Sequence, residues 1–277
     1  MGRIAQTFES LRRQRRAALV PFVTAGDPEP SATVPLMHSM VEAGADMIEL
    51  GIPFSDPMAD GPVIQQASER ALARGVHLAD VLAIVAEFRV QDPATPVILM
   101  GYLNPIEAAG YEAFARRAGE AGADGLIVVD LPPEEGEDLN RLLRNNGIDP
   151  VFLLAPTTTP ERLQVICDAA SGFIYYVSLR GVTGSANLDL AEVRTRIAQI
   201  KQQTSLPVGV GFGISDAATA GHVAEFADAI IVGSAVVKRI AECGNDVEQA
   251  RRKVAAFVRE LRTAIESGTG SAQAAQS

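Results

Sequence analysis

Short apolar runs recur along the chain, and between them apolar positions fall at helical spacing. The runs are Ala18–Thr24, Met47–Gly51, Val97–Gly101, Gly125–Asp130, Val151–Ala155, Phe173–Ser178, Val208–Phe212 and Ala229–Gly233. Most are hydrophobic almost throughout rather than alternating, the pattern of parallel strands covered on both faces. Val193, Ile197 and Ile200 share one helical face, as do Val247, Ala250, Val254, Phe257, Val258, Leu261 and Ile265. Eight strands alternating with helices over about 250 residues predict an α/β fold, a (β/α)8 TIM barrel. The rival, a doubly wound open sheet, usually advertises a glycine-rich dinucleotide turn after its first strand. Thr24-Ala25-Gly26-Asp27-Pro28 is not one.

A weak internal repeat supports a barrel of like units. Ala43-Gly44-Ala45-Asp46, Ala121-Gly122-Ala123-Asp124 and Phe226-Ala227-Asp228 each end a helix and lead into a strand. Two connections are long. Ile52 to Pro96 joins the second and third strands and holds a Pro/Asp-rich loop, an extra helix near Val63–Arg74 and the expected helix Ala79–Phe88. Leu179–Asp189 follows the sixth strand. In a barrel both loops lie at the C-terminal face, where active sites sit. Additional short helices are thus expected after strands two and eight. Ile4, Phe8 and Leu11 predict an extra N-terminal helix under the barrel floor. From Ser267 the chain is Gly, Ser, Ala and Gln with one Thr, so residues 1–266 read as a single barrel domain and 267–277 as a disordered tail.

Composition narrows the partners. Among 277 residues, 34 acidic side chains outnumber 24 basic ones, for a formal charge of −10. This argues against nucleic acid or an anionic membrane, and means that an anionic substrate is held by local dipoles rather than a basic surface. Two distant cysteines, Cys167 and Cys243, read as free thiols. With neither a signal peptide nor an apolar run of membrane-spanning length, the expected localisation is cytoplasmic.

The chemistry concentrates in Ile48-Glu49-Leu50-Gly51-Ile52-Pro53-Phe54-Ser55-Asp56-Pro57-Met58-Ala59-Asp60-Gly61. Glu49 lies near the end of an apolar strand, where an unpaired charge is costly and a raised pKa is expected. A proton-transfer enzyme uses such a carboxyl; the plainer reading is a buried Glu satisfied by a partner. Asp60 and Asp56 read equally well as loop or helix-capping residues, and Asp130, ending the fourth strand, is a reserve carboxylate. Gly211-Phe212-Gly213 and Gly233-Ser234 follow strands seven and eight, where barrels commonly bind phosphate through glycine backbone and a helix N-terminus. The lysines, Lys201, Lys238 and Lys253, all fall in helical segments, so a Schiff-base aldolase is disfavoured. His38, His77 and His222 form no metal-ligand pattern, and no metal site is expected. Carboxylate acid–base chemistry on a small phosphorylated substrate remains.

At this point the chain resembles the tryptophan synthase α subunit family. The segment Ile48 to Gly61 matches the family signature throughout. Pro21-Phe22-Val23-Thr24-Ala25-Gly26-Asp27-Pro28, Asn104-Pro105, Asp130-Leu131-Pro132, Gly181-Val182-Thr183-Gly184, Gly211-Phe212-Gly213 and Gly233-Ser234 look like family motifs in order. The resemblance implies a lyase that cleaves indole-3-glycerol phosphate to indole and glyceraldehyde 3-phosphate. It implies Glu49 as the acid–base residue, Asp60 as the group that holds the ring N–H, and Thr183 as a lid residue contacting Asp60. Phe22, Tyr175 and Phe212 are matched as pocket residues, with Leu99 and Ile127 as apolar wall. Gly184, Gly213, Gly233 and Ser234 are implied phosphate ligands. The implied partner is a β subunit in an α2β2 complex; pyridoxal phosphate would sit on that subunit, with no cofactor in this chain. Two positions depart from the family pattern: Leu179, where some members carry arginine, and Glu107, where an aromatic is common. A stand-alone lyase on the same barrel and a non-catalytic protein that only activates a β subunit are the competing readings.

Overall fold

A computed structural model describes residues 1–178, 190–211 and 213–274. Nine parallel strands form one sheet: β1 (Ala18–Thr24), β2 (Ile48–Gly51), β3 (Val97–Gly101), β4 (Gly125–Val128), β5 (Asp149–Pro150), β6 (Phe152–Leu154), β7 (Ile174–Val177), β8 (Val208–Gly211) and β9 (Ala229–Val232). Their order is β5-β4-β3-β2-β1-β9-β8-β7-β6. The short β5 and β6 flank Val151 and together form the fifth staff of an eight-staff barrel: β5 pairs with β4, and β6 pairs with β7. The ring thus closes through one bent segment, and the expected (β/α)8 barrel is the fold.

Among the described residues twelve α-helices accompany the strands: α1 (Arg3–Arg13), α2 (Thr33–Glu42), α3 (Pro62–Ala73), α4 (Leu78–Gln91), α5 (Leu103–Ala109), α6 (Tyr111–Ala121), α7 (Glu137–Asn145), α8 (Pro160–Ala169), α9 (Leu190–Gln203), α10 (Ala217–Ala224), α11 (Ser234–Ala241) and α12 (Val247–Ala274). The extra helices after the second and eighth staves are α3 and α11. Helix α5, after β3, is not foreseen from periodicity; at seven residues it is too short to show any. Helix α12 runs on to Ala274, past Ser267, where composition alone placed the start of the tail.

Strand alternation sorts side chains into two cores. Outward residues such as Leu19, Val23, Leu50 and Leu99 pack against the helices. Inward residues, among them Val20, Met47, Ile98, Ile127 and Ile231, fill the barrel, and Ile4, Phe8 and Leu11 of α1 join them from below. Phe8 meets Phe173 with ring centroids 5.8 Å apart. Gly125 makes this possible, because a Cβ there would approach Ile4 Cδ1 to 3.1 Å. The floor is therefore closed by packed apolar side chains, which leaves the opposite mouth for chemistry.

Candidate active site

Glu49 sits in β2 opposite Phe22 of β1 and Ile98 of β3. The parity that turns Leu50 out to the helices turns Glu49 inward. Only 2 % of it is exposed, and its Oε2 is buried without a hydrogen-bond partner. Burial, reinforced by the negative charge of Asp60, pushes its pKa up to about 8. Its surroundings therefore favour the protonated form. Among the described residues no basic side chain pairs with it, as the alternative of a buried Glu satisfied by a partner would require.

Asp60 comes from the loop between β2 and α3. Turn hydrogen bonds hold that loop: Asp60 N–H donates to Pro57 O at 3.1 Å, and Gln65 Nε2 donates to Asp60 O at 2.8 Å. Burial raises the Asp60 carboxyl to about 6, against the lowering effect of a hydrogen bond from Tyr102. Tyr102 is a site residue that sequence reasoning missed. It lies one residue beyond β3 and is 3 % exposed. Its hydroxyl accepts the Ala59 N–H at 3.0 Å, and its own pKa is pushed up to about 12, chiefly by burial and then by Asp60. Its position just past a strand end, beside Asn104-Pro105, was the available signal.

Across β1 from the strand of Glu49, Gly233 follows β9 and caps α11, whose first residue is Ser234. The first N–H groups of a helix have no intrahelical acceptor and favour an anion. A Cβ on Gly233 would meet only Ile64 and Phe22 atoms at 3.8 Å, and its φ of −99° is open to any residue. Packing does not require glycine there, and the open space leaves its backbone accessible from the cavity. Gly213 has a φ of +81° and needs glycine for conformation alone.

A cavity of about 1070 Å³ joins these groups; Phe22, Glu49, Asp60, Tyr175, Gly213, Gly233 and Ser234 all line it. Tyr175 lies over β8, where a Cβ on Gly211 would collide with its ring and hydroxyl. Two expected wall residues are corrected. Leu99 faces outward into the helix-side core, and its neighbour Met100 lines the cavity instead, because adjacent strand residues take opposite faces. Ile127 points into the barrel but lies one layer below the cavity; Val129, two residues on, reaches it. Asp130 stands in a turn beyond β4, where its carboxylate accepts the Leu103 N–H at 2.8 Å and caps α5. Thr183, Gly184 and Phe212, like Leu179, lie outside the described residues. Among the described residues no cluster of three or more His, Cys, Asp or Glu is arranged to hold a metal, and no helix is long and apolar enough to cross a membrane.

Two carboxyls with no cation paired to them among the described residues, lining one cavity at the C-terminal mouth, define the class, a (β/α)8-barrel enzyme equipped for acid–base chemistry. Known proteins narrow it. The family described as tryptophan synthase alpha chain matches residues 8–266. The tryptophan synthase alpha chain of Thioalkalivibrio sulfidiphilus is 61% identical over 266 residues, covering 96% of this chain and 100% of the relative. That of Nitrosococcus oceani is 58% identical, covering 96% and 98%. The crystal structure of tryptophan synthase subunit alpha from Legionella pneumophila superposes with a TM-score of 0.90 at 49% identity, covering 96% of this chain and 99% of that one. The chain belongs to the tryptophan synthase alpha chain family.

Proposed function

We propose that the chain cleaves indole-3-glycerol phosphate to indole and glyceraldehyde 3-phosphate by a retro-aldol reaction. The observation that carries this reading is Glu49, a buried carboxyl whose Oε2 has no hydrogen-bond partner among the described residues, lining the same cavity as Asp60. Two carboxyls whose environments push their pKa values apart divide acid and base duties.

In this reading the phosphate rests on the N-terminus of α11 and the backbone of Gly213 and Gly233, with Ser234 beside it. Gly184 joins this cradle by family resemblance. The indole ring lies between Phe22, Tyr175 and Met100, with Phe212 added by the same resemblance. Glu49 gives its proton to the ring carbon that bears the glycerol chain. The ring nitrogen then carries positive charge, which the Asp60 carboxylate stabilises through the N–H. The Glu49 carboxylate next takes the proton of the adjacent side-chain hydroxyl, the carbon–carbon bond breaks, and its electrons return to the ring. Indole and the aldehyde leave, and Glu49 is again protonated. By the same resemblance Thr183 is the residue implied to contact Asp60.

Indole passes to a β subunit in an α2β2 complex in the cytoplasm. Pyridoxal phosphate belongs to that subunit, in keeping with the helical positions of Lys201, Lys238 and Lys253 here. The test is indole release from indole-3-glycerol phosphate by the purified chain, alone and with a β subunit. Slow release that rises strongly with the partner is expected, and the pH profile should be a bell with limbs near 6 and 8, belonging to the carboxyl pair as a unit. Fast release alone would replace channelling with a stand-alone lyase. No release in either case would remove the roles of Glu49 and Asp60.

A further inference from the structure

Three cationic side chains among the described residues line the cavity: Arg162 of α8, and Lys238 and Arg239 of α11. Two of them are engaged elsewhere. Arg162 Nη1 pairs with Glu134 at 2.8 Å. Arg239 Nη1 donates to Ala235 O at 2.8 Å, and its guanidinium lies over the Phe257 ring, 3.4 Å from the centroid. Lys238 is exposed, and its ammonium makes no hydrogen bond or ion pair among the described residues. Glu242, the acid one turn further along α11, pairs with Lys253 at 3.9 Å instead.

Lys238 follows Ser234 by four residues, so the two share one face of α11, and both line the cavity. A helical side chain leans toward the N-terminus of its own helix. The rise between the two residues is about 6 Å, which the four-carbon stem of a lysine spans. The ammonium is thus within reach of the turn where Gly233 and Ser234 open the helix. We propose that Lys238 is a further substrate-binding residue of the lyase reaction, reaching back over the N-terminus of α11 to neutralise the phosphate dianion. The inference rests on the lyase reading, which seats the phosphate at that helix end. The charge balance calls for it. A helix N-terminus supplies only about half a positive charge, whereas a phosphate monoester carries nearly two negative charges at neutral pH. The other titratable groups lining the cavity, Glu49, Asp60, Asp130, Tyr175 and Glu242, supply no positive charge.

Calorimetric titration of the full chain with glycerol 3-phosphate tests this. Lys238→Gln should raise its Kd about 5-fold at low salt, and Lys238→Arg should restore it. Ionic screening should shrink the difference between parent and Lys238→Gln to less than about 2-fold at 0.5 M salt, which a merely structural defect would not do. Arg162→Gln, which removes a cation already held by Glu134, should leave the Kd unchanged. In turnover, Lys238→Gln should raise KM for indole-3-glycerol phosphate by a similar factor and leave kcat within about 2-fold, because the charge does not touch the reacting atoms. A Kd unmoved by Lys238→Gln would overturn the proposal, as would a loss insensitive to salt, an equal loss in Arg162→Gln, or a parent that does not bind glycerol 3-phosphate. The two readings fail separately. A parent that releases no indole while its Kd responds as expected removes the lyase activity and keeps the lysine's role. A parent that releases indole with KM and Kd indifferent to Lys238 removes only the lysine.

Discussion

The two ends of the barrel use the same residue types in opposite ways. At the floor, Asp46 accepts from Arg16 at 2.6 Å, Arg262 at 2.9 Å and the Leu19 N–H at 2.8 Å. Asp124 accepts from Arg89 at 2.6 Å, Arg3 at 2.9 Å and the Val97 N–H at 2.9 Å. Asp228 accepts from Lys201 at 2.9 Å and the Val208 N–H at 2.8 Å. Each is the aspartate of a repeated helix-to-strand turn, and each ties the start of its own strand to the backbone of another. At the mouth, Glu49 and Asp60 have no cation paired to them among the described residues. Even at the floor burial pushes Asp46 upward, and the guanidiniums oppose that shift. The lesson is that a buried carboxyl becomes a clamp where cations converge on it and an acid where they are withheld.

Removing the mouth carboxyls should break the comparison most sharply. Glu49→Gln should lower kcat by about 10³-fold or more, and Asp60→Asn by about 10²-fold, with phosphate-ligand binding retained in both. Indole release and calorimetric titration with glycerol 3-phosphate read this out. Turnover of the Glu49 variant within tenfold of the parent would take Glu49 out of the reaction. A next effect concerns pH. The raised Glu49 pKa means that the folded protein loses stability as pH rises from about 4.5 through about 8, because the unfolded chain ionises more readily. Glu49→Gln should therefore gain stability over the parent across that window, by up to about 5 kcal/mol at pH 9 and little at pH 4. Parallel melting curves at the two values check the sign.

At the floor the expectation reverses. Asp124→Ala should cost about 3 kcal/mol, since it strands Arg89 and the Val97 N–H in a largely buried setting. Turnover per folded molecule should stay near the parental value. Urea denaturation alongside kcat would show it, and a large kcat loss without destabilisation would erase the division between floor and mouth.

Near-continuous apolar runs placed the staves within a residue or two of their observed bounds, because parallel strands buried on both faces leave a local hydrophobic trace. The fifth run, Val151–Ala155, is divided and begins earlier, at Asp149, because it bends at Val151 to pair with β4 on one side and β7 on the other. That bend has no local signature.

By itself the sequence determined the barrel, the inward carboxyl of Glu49 in an apolar strand, and the glycine-bearing strand ends at the mouth. All of these are encoded in residues adjacent in the chain or in strand parity. Only the tertiary structure decided that Glu49 has no cation paired to it among the described residues, that Met100 and not Leu99 faces the cavity, and that Tyr102 holds the loop of Asp60. It likewise decided that Arg70 of α3 makes a double hydrogen bond, 2.7 and 2.9 Å, to buried Asp27 in the loop after β1. These depend on groups tens of residues apart in sequence, brought together only when the ring of strands closes.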